Sequence, residues 1–189
     1  MARVREEIDE HDDIVTGDFE ETYYNLTRKS IMNYRWMSAI YKAENAKLSM
    51  TIDDDHRVNL SMVKEFLQSA PESKRSYSSF GYVGRGDGAK RSPSAVMYLS
   101  RDEVPWDIMA TYLWGPAQLI GPAVIDDIAI ASAFTKSDIP LEDVYLGLIY
   151  QRLGIGVVSE SSMHTELFGP SAPPVMVAGK AFFEKYELP

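Results

Sequence analysis

The segment AKLSMTIDDDHRVN, residues 46–59, carries the pattern that most strongly constrains the fold. Within it, residues 47–52 alternate polar and apolar side chains, the period of two that predicts a half-buried β-strand. Three consecutive aspartates, Asp53, Asp54 and Asp55, follow that strand directly. Because layered α/β proteins bind ligands at the carboxyl ends of their strands, the triplet lies where a binding site is expected.

The segments on either side of this strand predict further helices and strands. Residues 19–41 carry apolar and aromatic side chains at steps of three or four, which predicts a helix. Asn59 is suited to cap a second helix that runs to about Ser69, because its side chain can accept a free backbone N–H. The other predicted elements are short strands near residues 80–83 and 95–99, and helices over residues 124–134 and from Pro140 onward.

Two parts of the chain predict irregular structure. Residues 104–116, VPWDIMATYLWGP, combine aromatic residues with prolines and show no clear period, and the end of the chain carries four prolines from Pro170 onward. Strands that alternate with helices nevertheless favour a layered α/β domain. A single domain is expected over residues 1–189, because a chain of 189 residues can form one substantial core and is short for two.

Composition excludes several classes of function. The chain has 19 Lys and Arg against 28 Asp and Glu, a net charge of -9, so nucleic acid is not an expected partner. No apolar run approaches the roughly 18 to 20 residues that cross a bilayer. The absence of cysteine excludes disulfides and thiolate catalysis, and His11, His56 and His164 are the imidazole candidates.

Acidic residues occur at two positions where carboxylates have a recognised use. Asp53 and Asp55 provide hard oxygen ligands that suit Mg²⁺ or Mn²⁺, but a solvated loop and a calcium-binding module are alternatives. The spaced D-x-[DN]-x-[DN]-G loop of an EF-hand is absent from the sequence. Glu142 and Asp143 fall in the first turn of the helix that Pro140 opens, where the helix dipole alone would favour them by about 0.3 to 1 kcal/mol.

Five segments occur in an order and at separations that are informative together. They are DFEETYYNLTRKS (18–30), AKLSMTIDDDHRVN (46–59), VMYLSRDEVPWD (96–107), TYLWGP (111–116) and LEDVYLGLIYQRLGI (141–155). Together they resemble the β-1,3-galactosyltransferase and β-1,3-N-acetylglucosaminyltransferase family, the family 31 glycosyltransferases. The resemblance covers residues 18–155 and leaves residues 1–17 as an arm of undetermined structure and residues 156–189 as a divergent tail.

This resemblance implies a nucleotide-sugar glycosyltransferase domain of GT-A fold, an α/β architecture with a mixed sheet flanked by helices. The family's first strands, which hold the uridine, are expected upstream of Met1, so we expect a domain that is incomplete at its N-terminus. The implied reaction is inverting, metal-dependent transfer of galactose or N-acetylglucosamine from a UDP-sugar to a glycan or glycoconjugate acceptor in β-1,3 linkage. The implied cofactor is Mn²⁺ or Mg²⁺, and the implied location is the Golgi membrane or lumen, with a membrane anchor only in a longer product.

The resemblance also assigns roles to individual residues. It implies that Asp143 is the general base, and that Asp53 and Asp54 bind the donor. It further implies that Asp53, Asp55 and His164 hold the metal. The residues assigned to the donor and acceptor cleft are Glu142, Trp106, Tyr112 and Gly115.

A second hypothesis is that the chain is a catalytically inactive member or fragment that acts as a binding or partner module. The expected absence of the uridine-holding strands motivates it. His56 and Arg57 also replace the aromatic residue that usually follows the Asp triplet in the family. The joint presence of the DDD strand end and the EDVYLG helix favours the enzyme.

Overall fold

The computed structural model describes residues 2–44, 46–136, 138–163 and 175–186. The helices in these ranges are α1 Ala2–His11, α2 Leu26–Glu44, α3 Leu60–Ser69, α4 Glu72–Ser76, α5 Pro122–Ala131, α6 Glu142–Leu153 and α7 Lys180–Lys185. The strands are β1 Ser49–Ile52, β2 His56–Val58, β3 Ser78–Gly84, β4 Tyr112–Ile120, β5 Gly156–Ser159 and β6 Val177–Gly179. A 3₁₀ turn, Tyr23–Asn25, precedes α2.

Four of the strands form a mixed sheet in the order β1-β4-β3-β5. β4 is antiparallel to both β1 and β3, whereas β3 and β5 are parallel. Strands β2 and β6 form a separate antiparallel pair in which His56 lies opposite Gly179. The predicted mixed sheet with flanking helices is therefore confirmed.

Two hydrophobic cores lie on the two faces of the sheet. Neighbouring residues of β4 contribute to different cores, Ile120 to the first and Leu119 to the second, as the alternation of a strand requires. The first core joins the sheet to α2, α5 and α6. The second packs Phe80 of β3 against Phe66 of α3, with the two rings edge to face at 5.0 Å. These layers fix the start of α6 relative to the end of β1.

Several predicted elements are confirmed, with shifted ends. The helix over residues 19–41 is α2, preceded by the 3₁₀ turn, and the strand over residues 47–52 is β1. Asn59 caps α3 as predicted, since its side chain accepts the N–H groups of Ser61 at 3.1 Å and Met62 at 3.3 Å. The helix predicted from Pro140 is α6, which ends at a left-handed glycine, Gly154, with φ of 67°.

The strand predicted over residues 95–99 is wrong, because this segment forms turns with one isolated bridge. At its end and in the residues that follow, backbone carbonyls are satisfied by a side chain instead of a neighbouring strand. The guanidinium of Arg91 donates to the carbonyl oxygens of Leu99, Ser100, Val104 and Trp106. A long-range arginine contact of this kind leaves no local periodic signal.

The irregular structure predicted for residues 104–116 is confirmed for residues 104–111 and wrong for residues 112–116, since β4 begins at Tyr112 and is the strand between β1 and β3. Gly115 and Pro116 weaken the local signal for a strand. However, the Pro116 carbonyl accepts the N–H of Asp53 at 2.9 Å, and an irregularity in the β3–β4 register between Gly81 and Val83 accommodates this stretch.

The tail was predicted to carry little regular structure, and its described parts contradict this. They contain β5, β6 and α7. Both strands are ordered by distant partners, β5 by β3 and β6 by β2. The arm at residues 1–17 contains α1. Among the described helices, none has the length and apolar content to cross a membrane.

Candidate active site

A cleft of about 470 Å³ opens between α2, the end of β1, β4 and the start of α6. It brings together residues that are far apart in the sequence. Its polar lining includes Lys29, Ser30, Asn33, Asp53, Asp54, Gln118 and Glu142. Of the predicted site residues, Asp53, Asp54, Gly115 and Glu142 thus lie in one cleft.

The Asp triplet forms a tight turn at the rim of this cleft. The N–H of His56 donates to the carbonyl of Asp53 at 3.1 Å, which folds the chain back on itself. Asp53, Asp54 and Asp55 are all exposed. Desolvation of its carboxyl group at the cleft raises the pKa of Asp53, and the neighbouring His56 opposes this shift. The carboxylates are therefore accessible to a cation or a polar ligand.

One group of potential metal ligands includes a residue that the sequence interpretation did not assign. A ligand atom from each of Asp53, Asp55 and His56 lies within 4.8 Å of the others. His164, the histidine predicted to join the metal site, lies outside the described residues. The signal for His56 was its adjacency to the triplet, but adjacency does not reveal that the turn directs the ring toward the carboxylates.

Asp143 lies in the first turn of α6, half-buried beside β4. Burial raises its pKa to about 7, with a smaller contribution from the charge of Glu142. The N–H of Val144 donates to Asp143 Oδ1 at 2.7 Å, and hydrogen bonds from Val144 and Gly115 partly oppose the shift in pKa. A carboxylate with a pKa near 7 can accept and release a proton at neutral pH.

Glu142 lies against β4 because Gly115 has no side chain. A Cβ atom at Gly115 would stand 2.5 Å from Glu142 Oε1, closer than real contacts allow. Burial raises the pKa of Glu142, and the negative charge of Asp53 raises it further. Asp53 at the end of β1 and Glu142 at the start of α6 are therefore close enough for their charges to interact.

Lys29 and Tyr23 are further residues near these carboxylates. Lys29, interpreted from sequence as a solvent-facing charge, lines the cleft and forms an ion pair with Glu21. The charges of Glu142 and Asp143 add to burial in raising the pKa of Tyr23. Residues 26, 29, 30 and 33 of α2 all line the cleft at helical spacing, but only the tertiary structure shows which face of the helix borders the cleft.

Tyr112 and Trp106, which were predicted to line the donor and acceptor cleft, do not line the main cleft. Tyr112 is buried, its hydroxyl donates to Asp87 Oδ2 at 2.8 Å, and its ring lies against Gly84 of β3 rather than presenting an open face. Trp106 lines a different surface cleft together with Ile108 and Arg152. Their participation in sugar binding stays a prediction.

The arrangement combines two chemical capacities. Exposed carboxylates and an imidazole at the end of β1 can hold a divalent cation and, through it, an anionic ligand. A carboxylate with a raised pKa at the start of α6 can take up a proton. These are the two requirements of a group transfer in which a hydroxyl attacks and an anion departs.

Comparison with known proteins agrees with this chemistry. The chain matches a sequence model named Galactosyltransferase over residues 1–161. It is 31% identical over 145 residues to the lactosylceramide 1,3-N-acetyl-beta-D-glucosaminyltransferase of Homo sapiens, covering 77% of this chain and 38% of that protein. It is 29% identical over 152 residues to beta-1,3-galactosyltransferase 5 of Homo sapiens, covering 80% of this chain and 47% of that protein. The chain spans less than half the length of these relatives. Because the family match extends over more than half of its residues, the chain belongs to the galactosyltransferase family.

Proposed function

We propose that the chain is a UDP-sugar-dependent β-1,3-hexosyltransferase of GT-A fold, which transfers galactose or N-acetylglucosamine to a glycan or glycoconjugate acceptor. The main support for this proposal is that Asp53 and Glu142 line one cleft. Asp143, whose pKa is raised to about 7, is the next residue after Glu142. The names of the relatives support the two candidate sugars and the 1,3 linkage. Family membership also motivates a Golgi location as part of the proposal.

In this proposal Asp53 and Asp55 hold Mn²⁺ or Mg²⁺. The residues fit such an ion, because they supply hard oxygen atoms within 4.8 Å of each other and of a buried imidazole. When bound, the ion neutralises the charge that develops on the departing UDP. Asp54 lines the cleft and contributes to donor binding, and Lys29 adds a positive charge to the same cleft.

Asp143 is the proposed general base. It accepts the proton of the acceptor hydroxyl as that oxygen forms a bond to the anomeric carbon and the bond to UDP breaks on the opposite face. Attack from the opposite face inverts the configuration of that carbon. Glu142 projects into the cleft and is placed to hydrogen-bond a sugar hydroxyl, while Gly115 allows it to lie there.

The test is a transfer assay on the purified chain with Mn²⁺ and either UDP-galactose or UDP-N-acetylglucosamine. Galactosides, N-acetylglucosaminides and lactosylceramide serve as acceptors, released UDP is measured, and the linkage of the product is read by NMR. We expect a β-1,3 product with one donor, and transfer lower by roughly 10² to 10⁴ fold with Asp143→Asn. Tight, Mn²⁺-dependent UDP binding without transfer to any acceptor would favour the binding-module hypothesis, and absence of UDP binding would reject the donor site.

A further inference from the structure

His56 is the first residue of β2 and directly follows the Asp triplet, which forms the turn from β1. Backbone hydrogen bonds fix this turn at two points. The Asp53 carbonyl accepts the N–H of His56, and the Asp55 carbonyl accepts the N–H of Lys180 at 2.8 Å. His56 also pairs with Gly179 in the β2–β6 ladder. The β1–β4 and β2–β6 strand pairs therefore fix the backbone from which the His56 ring projects.

The ring of His56 differs from the triplet in its exposure. Its side chain is only 6% exposed, against 73% for Asp55, although the two residues are adjacent. His56 Nδ1 lies 2.5 Å from Asp55 Oδ1. The ring thus borders the carboxylate cluster while most of its surface is removed from water.

The second nitrogen of this ring makes no hydrogen bond to any described residue. His56 Nε2 is buried and has no hydrogen-bond partner among the described residues. Leaving a buried polar atom unpaired costs about 1 to 3 kcal/mol, and a histidine that served packing alone is expected to satisfy both nitrogens.

The spacing of the ligand atoms matches one ion. Atoms from Asp53, Asp55 and His56 lie within 4.8 Å of one another. Ligands on opposite sides of a divalent cation are separated by about 4 to 5 Å, since each metal–ligand bond is roughly 2.0 to 2.4 Å. One cation at the mouth of the turn can therefore contact all three side chains.

We propose that His56 is a third protein ligand of this metal site and sets its preference among cations. The inference rests on the proposed metal-dependent function. Imidazole favours transition metals, whereas sites made only of carboxylate and water suit Mg²⁺ and Ca²⁺. His56 therefore biases the site toward Mn²⁺ and Co²⁺ and against Mg²⁺.

Metal binding to the full chain tests this proposal without any transfer assay. Calorimetry with Mn²⁺, Co²⁺ or Mg²⁺ alone compares the wild type with His56→Gln. We expect His56→Gln to weaken Co²⁺ binding by about tenfold or more and Mg²⁺ binding far less, because only the nitrogen ligand is lost. An equal change for both ions, or no change, would overturn the proposal.

A second measurement does not require the His56 ring to be removed. In His11→Gln/His164→Gln, His56 is the only histidine, and selective ¹⁵N-histidine labelling should change the nitrogen coupling detected by electron–nuclear double resonance of bound Mn²⁺. Absence of a histidine coupling in this variant rejects His56 as a ligand. A coupling that is present in the wild type and lost in the double variant assigns the ligand to His11 or His164 instead.

Failure of this inference is distinguishable from failure of the proposed function. If Asp53→Asn/Asp55→Asn leaves Mn²⁺ binding unchanged, the proposed metal site itself is wrong. If that variant loses Mn²⁺ while Co²⁺ selectivity is unaffected by His56→Gln, only the role of His56 fails. If the wild type shows the histidine coupling but never binds UDP, the ligand assignment holds and the donor site is rejected.

Discussion

Two groups of carboxylates reach the same cleft, one through Asp53 and Asp54 and the other through Glu142, and they differ in their surroundings. Asp53, Asp54 and Asp55 follow an edge strand and are exposed, whereas Glu142 and Asp143 are half-buried against β4. The exposed group is accessible to a cation. In the half-buried group, burial raises the pKa of Asp143 to about 7, the range in which a carboxylate works as a base. Burial, more than residue type, therefore separates metal binding from proton transfer in the proposed mechanism.

Within the α6 group, burial opposes the helix dipole. A position in the first turn stabilises a negative charge by about 0.3 to 1 kcal/mol. A rise in the pKa of Asp143 from 3.8 to about 7 nevertheless corresponds to roughly 4 kcal/mol in favour of the neutral acid. The dipole that explains an acidic residue at this position is too weak to set its protonation.

Replacement of Asp143 by Asn is expected to have the largest effect on the rate of transfer. It keeps the size and the hydrogen bond from Val144 but removes the proton acceptor, so transfer should fall by roughly 10² to 10⁴ fold. Binding of UDP and Mn²⁺ should barely change, as measured by calorimetry. Asp127→Asn, an exposed position on α5, is the matched control and should retain full turnover. Near-wild-type transfer by Asp143→Asn would remove the functional contrast between the two groups.

The pH dependence of kcat/KM is the next largest effect. Because only ionised Asp143 accepts a proton, and its pKa is about 7, kcat/KM should fall about tenfold for each pH unit below 7. Glu142→Gln removes the neighbouring negative charge that raises this pKa, so the inflection should move to lower pH. A flat profile between pH 5 and 8 would contradict the assignment.

Conformational stability should also depend on Asp143. Its pKa is raised on folding, so its contribution is fully present below the unfolded value near 3.8 and is lost as pH rises through about 7. At pH 8, Asp143→Asn should therefore unfold with a free energy about 1 to 3 kcal/mol above that of the wild type. The difference should shrink toward pH 4, as urea titrations can show. A variant that is less stable at pH 8 would mean that the dipole outweighs burial.

Gly115→Ala is the smallest expected effect on the fold and tests the position of Glu142. The new Cβ meets only the far end of a flexible side chain, so the free energy of unfolding should change by less than about 1 kcal/mol. Glu142 must move out of its place against β4, and acceptor KM should rise more than donor KM. An unchanged acceptor KM would show that the position of Glu142 does not matter for transfer.

Local sequence patterns predicted the elements on which the two carboxylate groups lie. The alternation before Asp53 predicted β1, Asn59 predicted the start of α3, and the apolar face after Pro140 predicted α6. Each of these signals acts within one or two turns or a few strand residues. The order of the motifs further identified the family, which the comparisons confirm.

The wrong predictions for residues 112–116 and 95–99 have a common cause. β4 contains Gly115 and Pro116, which weaken any local strand signal, and it is ordered by β1 and β3 on either side. The segment at residues 95–99 forms turns, and Arg91 binds the carbonyl oxygens of Leu99 and Ser100 at its end. In both cases the deciding partner lies elsewhere in the chain, beyond the reach of a periodic pattern.

The sequence by itself determined the type and order of most elements, the family, and the identity of the acidic residues, because these follow from local spacing and residue chemistry. Only the tertiary structure decided which side chains share the cleft, including Lys29 from α2, and that His56 lies beside Asp55. It also decided the pKa of Asp143. Burial and charge proximity arise when distant segments pack together, and the free energy of desolvating a carboxylate is set by that packing.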